Sequence, residues 1–275
     1  MFDIKAGEGQ SLESAGYAAP YVVETLTSKA LHFSHFAIQS RMRLDDPNAL
    51  DLDYTRLMMG FLLFKPRPKR LAMIGLGGGS LPKFCHRHLP GSRIEVVEVN
   101  PDVIALRDQF HVPPDSARFR VLRADGARFA SERTRAIDVL IVDGFDNAGL
   151  PPELATRRFY DDCRQSLVED GIMVVNLHGE REHSAACVER IRRSFGDRIL
   201  LVDSLEDCNT IVFAFKAATP LSRHSLARGR GPRLRQHAAR SLRSAFGAVE
   251  RALQELEASR LTLSVDPERK AALES

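Results

Sequence analysis

A glycine-rich turn is the first feature of this sequence that could bind a ligand. It follows an apolar run, precedes a helical pattern and reads Gly75, Leu76, Gly77, Gly78, Gly79, Ser80. Because glycine has no Cβ atom, the backbone N–H groups of such a turn can approach a ligand closely. Glycine also permits a tight strand-to-helix connection in any open α/β fold, so the turn alone leaves both interpretations open.

Acidic residues follow at the ends of the next two apolar runs. Glu98 lies roughly 20 residues beyond the glycines, where an acid can accept hydrogen bonds from both hydroxyls of a ribose. An acid between valines also needs a partner more than a surface acid does. Asp125 ends the third run, at a place suited to the exocyclic amine of an adenine. With their neighbours Asn100 and Gly126, these residues predict a nucleoside-cofactor site.

Two carboxylates follow the fourth apolar run. Asp143 comes directly after Val142, and Asp146 lies about one helical turn further along. Carboxylates at this spacing can converge on one cation or accept its proton. For Asp146, a role in a turn or as a helix cap is an equally good interpretation. For Asp143, its emergence from an apolar strand favours a chemical role.

The elements that must position these residues alternate between strand and helix from about residue 70 onward. This alternation predicts an α/β fold with a doubly wound, Rossmann-like sheet of the methyltransferase type, seven-stranded and parallel, with its ligand crevice at the C-terminal strand ends. The predicted strands are 70–76, 93–99, 118–122, 137–142, 171–177, 198–202 and 210–215. The predicted helices lie near 80–89, 101–109, 155–168 and 181–194.

Three segments are expected along the chain. Residues 1–65 form a small N-terminal antiparallel β unit and a helix from about 52 to 64, residues 66–217 form the nucleoside-cofactor-binding domain, and residues 218–275 form an Arg-rich linker and helical tail. The N-terminal segment suits a lid or an oligomerisation element. Apolar residues at helical spacing predict an amphipathic helix over 233–258: Leu234, Ala238, Leu242, Phe246, Val249, Leu253 and Leu256.

The tail is basic, and the rest of the chain is mildly acidic. Residues 218–249 contain no acid but seven arginines, Arg223, Arg228, Arg230, Arg233, Arg235, Arg240 and Arg243. We expect this basic helix to pack on the acidic body of its own or a partner subunit. Contact with nucleic acid is the less favoured alternative, since the tail has one aromatic residue and no recognition motif.

The composition limits the classes of protein to which this chain can belong. A chain of 275 residues with 44% hydrophobic residues can bury an ordinary core. Its four cysteines form no Cys-x-x-Cys pair, and Cys85, His86 and His88 lack a metal-ligand spacing, so we expect neither a disulfide framework nor a metal. The polar N-terminus and the lack of a long apolar run predict a soluble, cytoplasmic protein without membrane contact.

Taken in order, these motifs resemble the spermidine synthase (polyamine aminopropyltransferase) family. The resemblance covers about residues 20–217 and rests on five segments, 75–80, 98–103, 125–129, 138–146 and Phe159-Tyr160. It implies a transferase of polyamine biosynthesis that uses decarboxylated S-adenosylmethionine as co-substrate and a small-molecule amine as acceptor. It also implies a homo-oligomer, such as a dimer.

The resemblance assigns roles to single residues. The glycine-rich turn, Glu98 and Asp125 would bind the methionine-derived tail, the ribose and the adenine. Asp143 would be the base that takes a proton from the amine, whose lone pair attacks the aminopropyl carbon beside the sulfonium and expels methylthioadenosine. Asp146 would help to hold the amine. Gln39 resembles the family's glutamine after the N-terminal hairpin and would bind the co-substrate. Tyr54 resembles the substrate-binding tyrosine of the family's Tyr-His-Glu element.

Three departures from the family pattern bear on the substrate. Ser80 replaces an aspartate that faces the aminopropyl ammonium, Arg56 lies where an acid is usual, and residues 204–209 replace a Pro-Tyr-Pro-Ser-Gly loop. An arginine that pointed inward would repel a polyamine. Two alternatives therefore stay open: a methyltransferase that uses intact S-adenosylmethionine, and a non-catalytic nucleoside-binding homologue whose tail contacts an anionic partner.

Overall fold

The computed structural model describes residues 19–34, 37–145, 149–179, 181–206, 208–217, 221, 226 and 234–265. The strands in this part of the chain are β1 (Tyr21–Glu24), β2 (Ser28–Ser34), β3 (Ala37–Arg43), β4 (Arg70–Ile74), β5 (Arg93–Glu98), β6 (Phe119–Arg123), β7 (Ile137–Val142), β8 (Leu167–His178), β9 (Ile199–Asp203) and β10 (Asn209–Phe215). The helices are α1 (Asp53–Met58), α2 (Ser80–His88), α3 (Pro101–Ala105), α4 (Gly126–Ser131), α5 (Arg157–Ser166), α6 (Arg181–Phe195), α7 (Gln236–Ser241) and α8 (Arg243–Val265), with 3₁₀ segments at Met59–Leu63 and Pro152–Ala155.

The strands form two separate sheets. β1, β2 and β3 make a three-stranded antiparallel sheet, as the N-terminal pattern predicts. The larger sheet has seven strands in the order β6-β5-β4-β7-β8-β10-β9. Its neighbours from β6 through β8 are parallel. The strand order therefore reverses beside β4, which places the ligand crevice of such a sheet at the carboxyl ends of β4 and β7.

One edge of the large sheet differs from the predicted parallel arrangement. β10 lies between β8 and β9 and is antiparallel to both, so the sheet is mixed. Only the short segment 204–208 joins β9 to β10, and a crossover to a parallel neighbour needs a dozen or more residues. The predicted doubly wound, methyltransferase-type fold with seven strands is otherwise confirmed.

Apolar side chains bury both faces of the large sheet. On one face, Leu81 and Phe84 of α2 join Met58 and the tail residue Val249 in one cluster. On the other, Phe129 of α4, Tyr160 of α5 and residues of α6 form a second cluster. Burial on both faces explains why the central strands are continuous Val, Ile and Leu runs rather than alternating ones.

Two predicted helices differ in the structure, where one ends early and the other is interrupted at residues that pack against the core. The helix expected over 101–109 ends at Ala105, and the chain then turns so that Phe110 and Val112 pack beneath the glycine-rich turn. The tail helix expected over 233–258 is two helices, α7 and α8, which are interrupted at Leu242. Leu242 is fully buried, so the break keeps both helices against the core.

The C-terminal helices dock on the chain's own body. Ala238, Leu242, Ala245, Val249 and Leu253 are buried in the cluster beneath the large sheet. Ala238, Leu242, Val249 and Leu253 are among the apolar positions that predict an amphipathic helix, and in this structure they pack against the body of the same chain. In the described part of the chain, no helix is long and apolar enough to cross a membrane.

Candidate active site

A cavity of about 1240 Å³ opens at the carboxyl ends of the parallel strands. Residues of the N-terminal sheet and of α1 also line it. It is lined by most of the residues that sequence reasoning selected: Gln39, Tyr54, Gly75, Gly77, Ser80, Glu98, Asn100, Asp125, Gly126 and Asp143. Asp146 lies outside the described residues. The structure thus brings residues from strand ends that are far apart in sequence to one crevice.

The glycine-rich turn connects β4 to α2 as the sequence predicts. Gly75 has a φ of 100°, and a Cβ atom there would lie 2.2 Å from the carbonyl oxygen of Asp143. Gly79 caps α2 with a φ of 70°. Gly78 and Gly79 do not line the cavity, because Ser40, Phe110 and Val112 pack against them. Close backbone approach therefore accounts for these glycines, while Gly77 faces the cavity.

Glu98 links the end of β5 to the glycine-rich turn. Its Oε2 accepts the backbone N–H of Leu76 at 2.9 Å, and its Oε1 accepts that of Asn100 at 2.9 Å. Burial raises the pKa of Glu98 above the ordinary glutamate value, and the backbone donors partly oppose this effect. Each carboxylate oxygen can accept a further hydrogen bond, so the side chain keeps capacity for a ligand donor.

Two of the predicted ligand residues also cap helices. Asn100 is 5% exposed and its Oδ1 accepts the N–H of Asp102 at the start of α3. Asp125 is exposed, and its Oδ1 accepts the N–H of Arg128 at the start of α4 at 2.7 Å. Gly126 packs on β4, since a Cβ atom there would lie 2.5 Å from the Ile74 side chain. Capping and cavity lining are compatible, because each cap uses one side-chain oxygen.

Ser80 meets a second hydroxyl where the family pattern has an acid. Its Oγ lies 3.4 Å from the Oγ of Ser40, and both residues are buried. Ser40 belongs to β3, so this contact joins the N-terminal sheet to the glycine-rich turn. The cavity wall at this point is formed by two neutral hydroxyls rather than a carboxylate.

Asp143 lines the crevice directly after β7. Asn176 Nδ2 donates to its Oδ1 at 2.9 Å, and the hydroxyl of Tyr54 donates to its Oδ2 at a longer 3.5 Å. Burial raises the pKa of Asp143, while these two hydrogen bonds lower it and leave it above the ordinary aspartate value. Such a carboxylate, held at a cavity wall, has the character of a proton acceptor.

Arg56 does not extend into the crevice as an unpaired cation. Its guanidinium donates to the carbonyl oxygens of Leu50 and Asp51, and forms 3.2 Å ion pairs with Asp53 and Glu206. Its effect on a cationic ligand is therefore offset by two carboxylates. The Arg56–Glu206 ion pair also holds α1 to the segment between β9 and β10. This segment takes the place of the Pro-Tyr-Pro-Ser-Gly loop, which the family has and this chain lacks.

Several crevice residues were not selected from the sequence. Asp51, Asp53, Arg41, Glu153 and His183 line the cavity, and so do Asn176 and Asn209. Arg41 and Asp51 form an ion pair with each other. Polar residues in loops and near the ends of strands and helices give weak sequence signals, since they are common at such positions. Within the described residues, no group of three or more His, Cys, Asp or Glu side chains could hold a metal ion.

The mixed sheet and the position of the crevice define a class, the Rossmann-like fold of methyltransferase type. A solved structure of the probable spermidine synthase from Corynebacterium glutamicum matches this fold with a TM-score of 0.63 at 19% identity, covering 82% of this chain and 91% of that chain. At this identity the match supports the fold alone.

Sequence comparisons identify the family. Residues 52–197 match the spermine/spermidine synthase domain. The polyamine aminopropyltransferase of Chromobacterium violaceum is 35% identical over 207 residues, 75% of this chain and 79% of that protein. The eEF1A lysine and N-terminal methyltransferase of Mus musculus is 36% identical over 120 residues, 40% of this chain and 17% of that protein. The chain belongs to the spermine/spermidine synthase family, which confirms the resemblance and the prediction of a transferase.

Proposed function

We propose that this protein transfers an aminopropyl group from decarboxylated S-adenosylmethionine to a small amine. The observation that carries the proposal is the position of Asp143, whose carboxylate stands in the same crevice as the glycine-rich turn and Glu98. Its 35% identity to a polyamine aminopropyltransferase over three quarters of the chain supports the same reaction.

In this mechanism Asp143 acts as the general base. It accepts a proton from the incoming amine, and the freed lone pair attacks the aminopropyl carbon next to the sulfonium. A new C–N bond forms as the C–S bond breaks, and the bonding electrons remain on sulfur. The products are methylthioadenosine and the aminopropylated amine. A pKa above the ordinary aspartate value suits Asp143 to this proton transfer.

The other residues bind and orient the reactants. Glu98 accepts hydrogen bonds from the ribose hydroxyls, and Asp125 accepts one from the adenine amine. Gly77 lets the backbone approach the sulfonium-bearing tail. Tyr54 and Gln39 also line the crevice. We assign Gln39 to the nucleoside co-substrate and Tyr54 to the amine, and we assign Asp146 to the amine from the family pattern alone.

A binding comparison and one substitution test this function. Calorimetry with decarboxylated S-adenosylmethionine, intact S-adenosylmethionine and methylthioadenosine should show preference for the decarboxylated form. Asp143→Asn should abolish transfer to a panel of primary diamines, and methylthioadenosine should still bind. Binding of none of the three nucleosides would refute the cofactor assignment, and undiminished turnover by Asp143→Asn would remove it as the base. Binding without turnover in the wild-type protein would favour the non-catalytic alternative.

A specific observation supports methyl transfer from intact S-adenosylmethionine as a second candidate. The Ser80 hydroxyl, which lies beside that of Ser40, stands where the family pattern has the carboxylate that faces an aminopropyl ammonium. A neutral wall removes an attraction to the decarboxylated tail and a repulsion with the carboxylate of the intact one. The partial likeness to a methyltransferase, over 40% of this chain, points the same way. Preference for the intact form in the calorimetric comparison would support this candidate.

A further inference from the structure

Two buried asparagines lie behind Asp143 on the neighbouring strands. Asn176, near the end of β8, is 3% exposed, and Asn209, the first residue of β10, is 6% exposed. In the antiparallel pairing of these strands Asn209 lies opposite His178, so Asn176 is its diagonal neighbour on the same face of the sheet. Neither asparagine has an assigned role in the proposed reaction.

A chain of hydrogen bonds joins the two amides to the carboxylate. Asn209 Nδ2 donates to Asn176 Oδ1 at 2.7 Å, and Asn176 Nδ2 donates to Asp143 Oδ1 at 2.9 Å. A buried amide leaves polar groups unsatisfied unless they find partners, and here Asn209 satisfies the carbonyl oxygen of Asn176 while Asp143 accepts from its NH₂ group. The contacts span three strands of the sheet, β7, β8 and β10.

The chemistry of the carboxylate fixes the direction of this chain. An ionised carboxylate only accepts hydrogen bonds, so Asn176 must present its NH₂ group to Asp143. The carbonyl oxygen of Asn176 then faces Asn209, which must present its own NH₂ group. Asn209 therefore holds Asn176 in the one amide orientation that donates to Asp143.

We propose that Asn176 and Asn209 are positioning residues that act in series on Asp143. Asn209 orients Asn176, and Asn176 fixes Oδ1, so that Oδ2 is directed to Tyr54 and the cavity, where the amine arrives. This inference rests on the proposed function, because it takes Asp143 as the base. It adds two residues that act on the reaction through the carboxylate, by way of their hydrogen bonds.

The outer end of the chain is anchored to the helix that carries Tyr54. The backbone oxygen of Asn209 accepts the N–H of Ser204 at 2.8 Å, and the Ser204 hydroxyl donates to Asp53 at 2.9 Å. The Arg56–Glu206 ion pair spans the same two elements. Both donors to Asp143 therefore depend on the packing of α1 against the segment after β9.

Because the charged groups near Asp143 have partners of their own, a titration can report the pKa of Asp143 directly. Tyr54 approaches from α1 and Asn176 from β8. Glu98 on β5 is bound by backbone N–H groups, and the ring of His178 packs against Phe145 at 6.3 Å between ring centroids. Asp53 is engaged by Arg56.

The test measures the pKa of Asp143 by ¹³C NMR of aspartate side-chain carboxyls, with Asp143→Asn to assign the signal. Asn176→Ala should raise this pKa by about one unit, since a hydrogen bond to the charged form is lost. Asn209→Ala should raise it by less. The double variant should match Asn176→Ala, because residues in series are not additive.

The pH dependence of turnover is the second measurement. If the inference holds, the acidic limb of the pH profile of kcat/KM moves to higher pH in both single variants, while KM for the nucleoside is unchanged. A merely structural role would lower the plateau without moving the limb. Thr210→Val is the matched control, since it removes the side-chain hydrogen bond to Asp203 one residue along β10.

The outcomes separate this inference from the proposed function. Absence of any transfer by the wild-type protein would count against the function, but the NMR titration would still test the hydrogen-bond chain. An unchanged Asp143 pKa in both single variants, or additive shifts in the double variant, would overturn the inference. If Asn176→Ala fails to fold, Asn209→Ala decides the question alone, because it leaves the donor to Asp143 in place.

Discussion

Lys83 is a buried cation that the proposed chemistry does not use. It lies on α2 with 1% of its surface exposed, and its Nζ donates to the carbonyl oxygen of Phe110 at 2.7 Å. This bond ties α2 to the turn that packs beneath Gly78 and Gly79. Burial lowers the pKa of Lys83 from 10.5 to about 8.

This depressed pKa predicts a stability that increases with pH. Between about pH 8 and pH 10.5 the unfolded chain binds more protons at Lys83 than the native state, so the free energy of unfolding increases across this window. We expect a gain on the order of 3 kcal/mol, present in full above the window and lost below it.

Urea unfolding at the two ends of the window measures this effect. Lys83→Met should remove the increase, and the exposed Lys69→Met serves as control. Because other groups titrate in the same range, the quantity to compare is the difference between variant and wild type at each pH. Equal pH dependence in Lys83→Met and wild type would contradict the prediction.

At the scale of single residues, the sequence indicates strand-end groups but not the partners that orient them. Glu98, Asp125 and Asp143 were selectable because each follows an apolar run, and the carboxyl ends of parallel strands share one edge. Asn176 and Asn209 were not, since their contact depends on the pairing of β8 with β10. Asp125 shows a further limit, because a helix cap and a ligand residue have the same local pattern.

At the scale of elements, the connection from β4 to α2 depends on backbone that only glycine accommodates. Gly75 combines a φ of 100° with the Asp143 carbonyl oxygen 2.2 Å from any added Cβ atom. Relief of that contact would move the strand end that carries the proposed base. The turn therefore couples the stability of the sheet to the geometry of the site.

Gly75→Ala should lower the free energy of unfolding by at least about 2 kcal/mol and weaken methylthioadenosine binding. Gly91→Ala is the matched control, since a Cβ atom there meets nothing within 4 Å. Chemical denaturation and calorimetry of both variants check the prediction. Similar stability in the two variants would show that the turn tolerates a side chain.

The antiparallel strand β10 shows what element-level patterns can and cannot predict. Apolar runs of Val, Ile and Phe look alike whichever way a strand points, so the direction of β10 was not visible in its own residues. The short spacing between the last two apolar runs did indicate the direction of β10. Fewer than ten residues separate the runs 198–202 and 210–215, which is too short for a crossover and favours a hairpin.

At the scale of the whole molecule, the C-terminal helices complete the core. α8 packs on the sheet face near the 3₁₀ segment after α1, where Val249 would lie 2.7 Å from a Cβ atom on Gly60. Arg235, Arg240 and Arg243 lie on the exposed side of these helices. The four arginines from 223 to 233 lie outside the described residues. Self-association stays a prediction, and nucleic-acid contact by the tail stays the less favoured alternative.

The packing of α8 predicts a sharp contrast between two adjacent positions. Leu253 is fully buried against the sheet-facing cluster, and Gln254 is exposed. Leu253→Asp would bury an unpaired carboxylate and should cost more than about 3 kcal/mol of stability. Gln254→Asp adds the same charge to the same helix and should change stability by less than about 0.5 kcal/mol.

Thermal unfolding and size-exclusion chromatography of both variants measure this contrast. We expect Leu253→Asp to have a lower Tm and to expose apolar surface that promotes aggregation, since α8 covers the same face of the sheet as α1. Gln254→Asp should elute as the wild type does. If both variants keep the wild-type Tm, the burial of Leu253 does not contribute to the stability of the core, which would contradict the prediction.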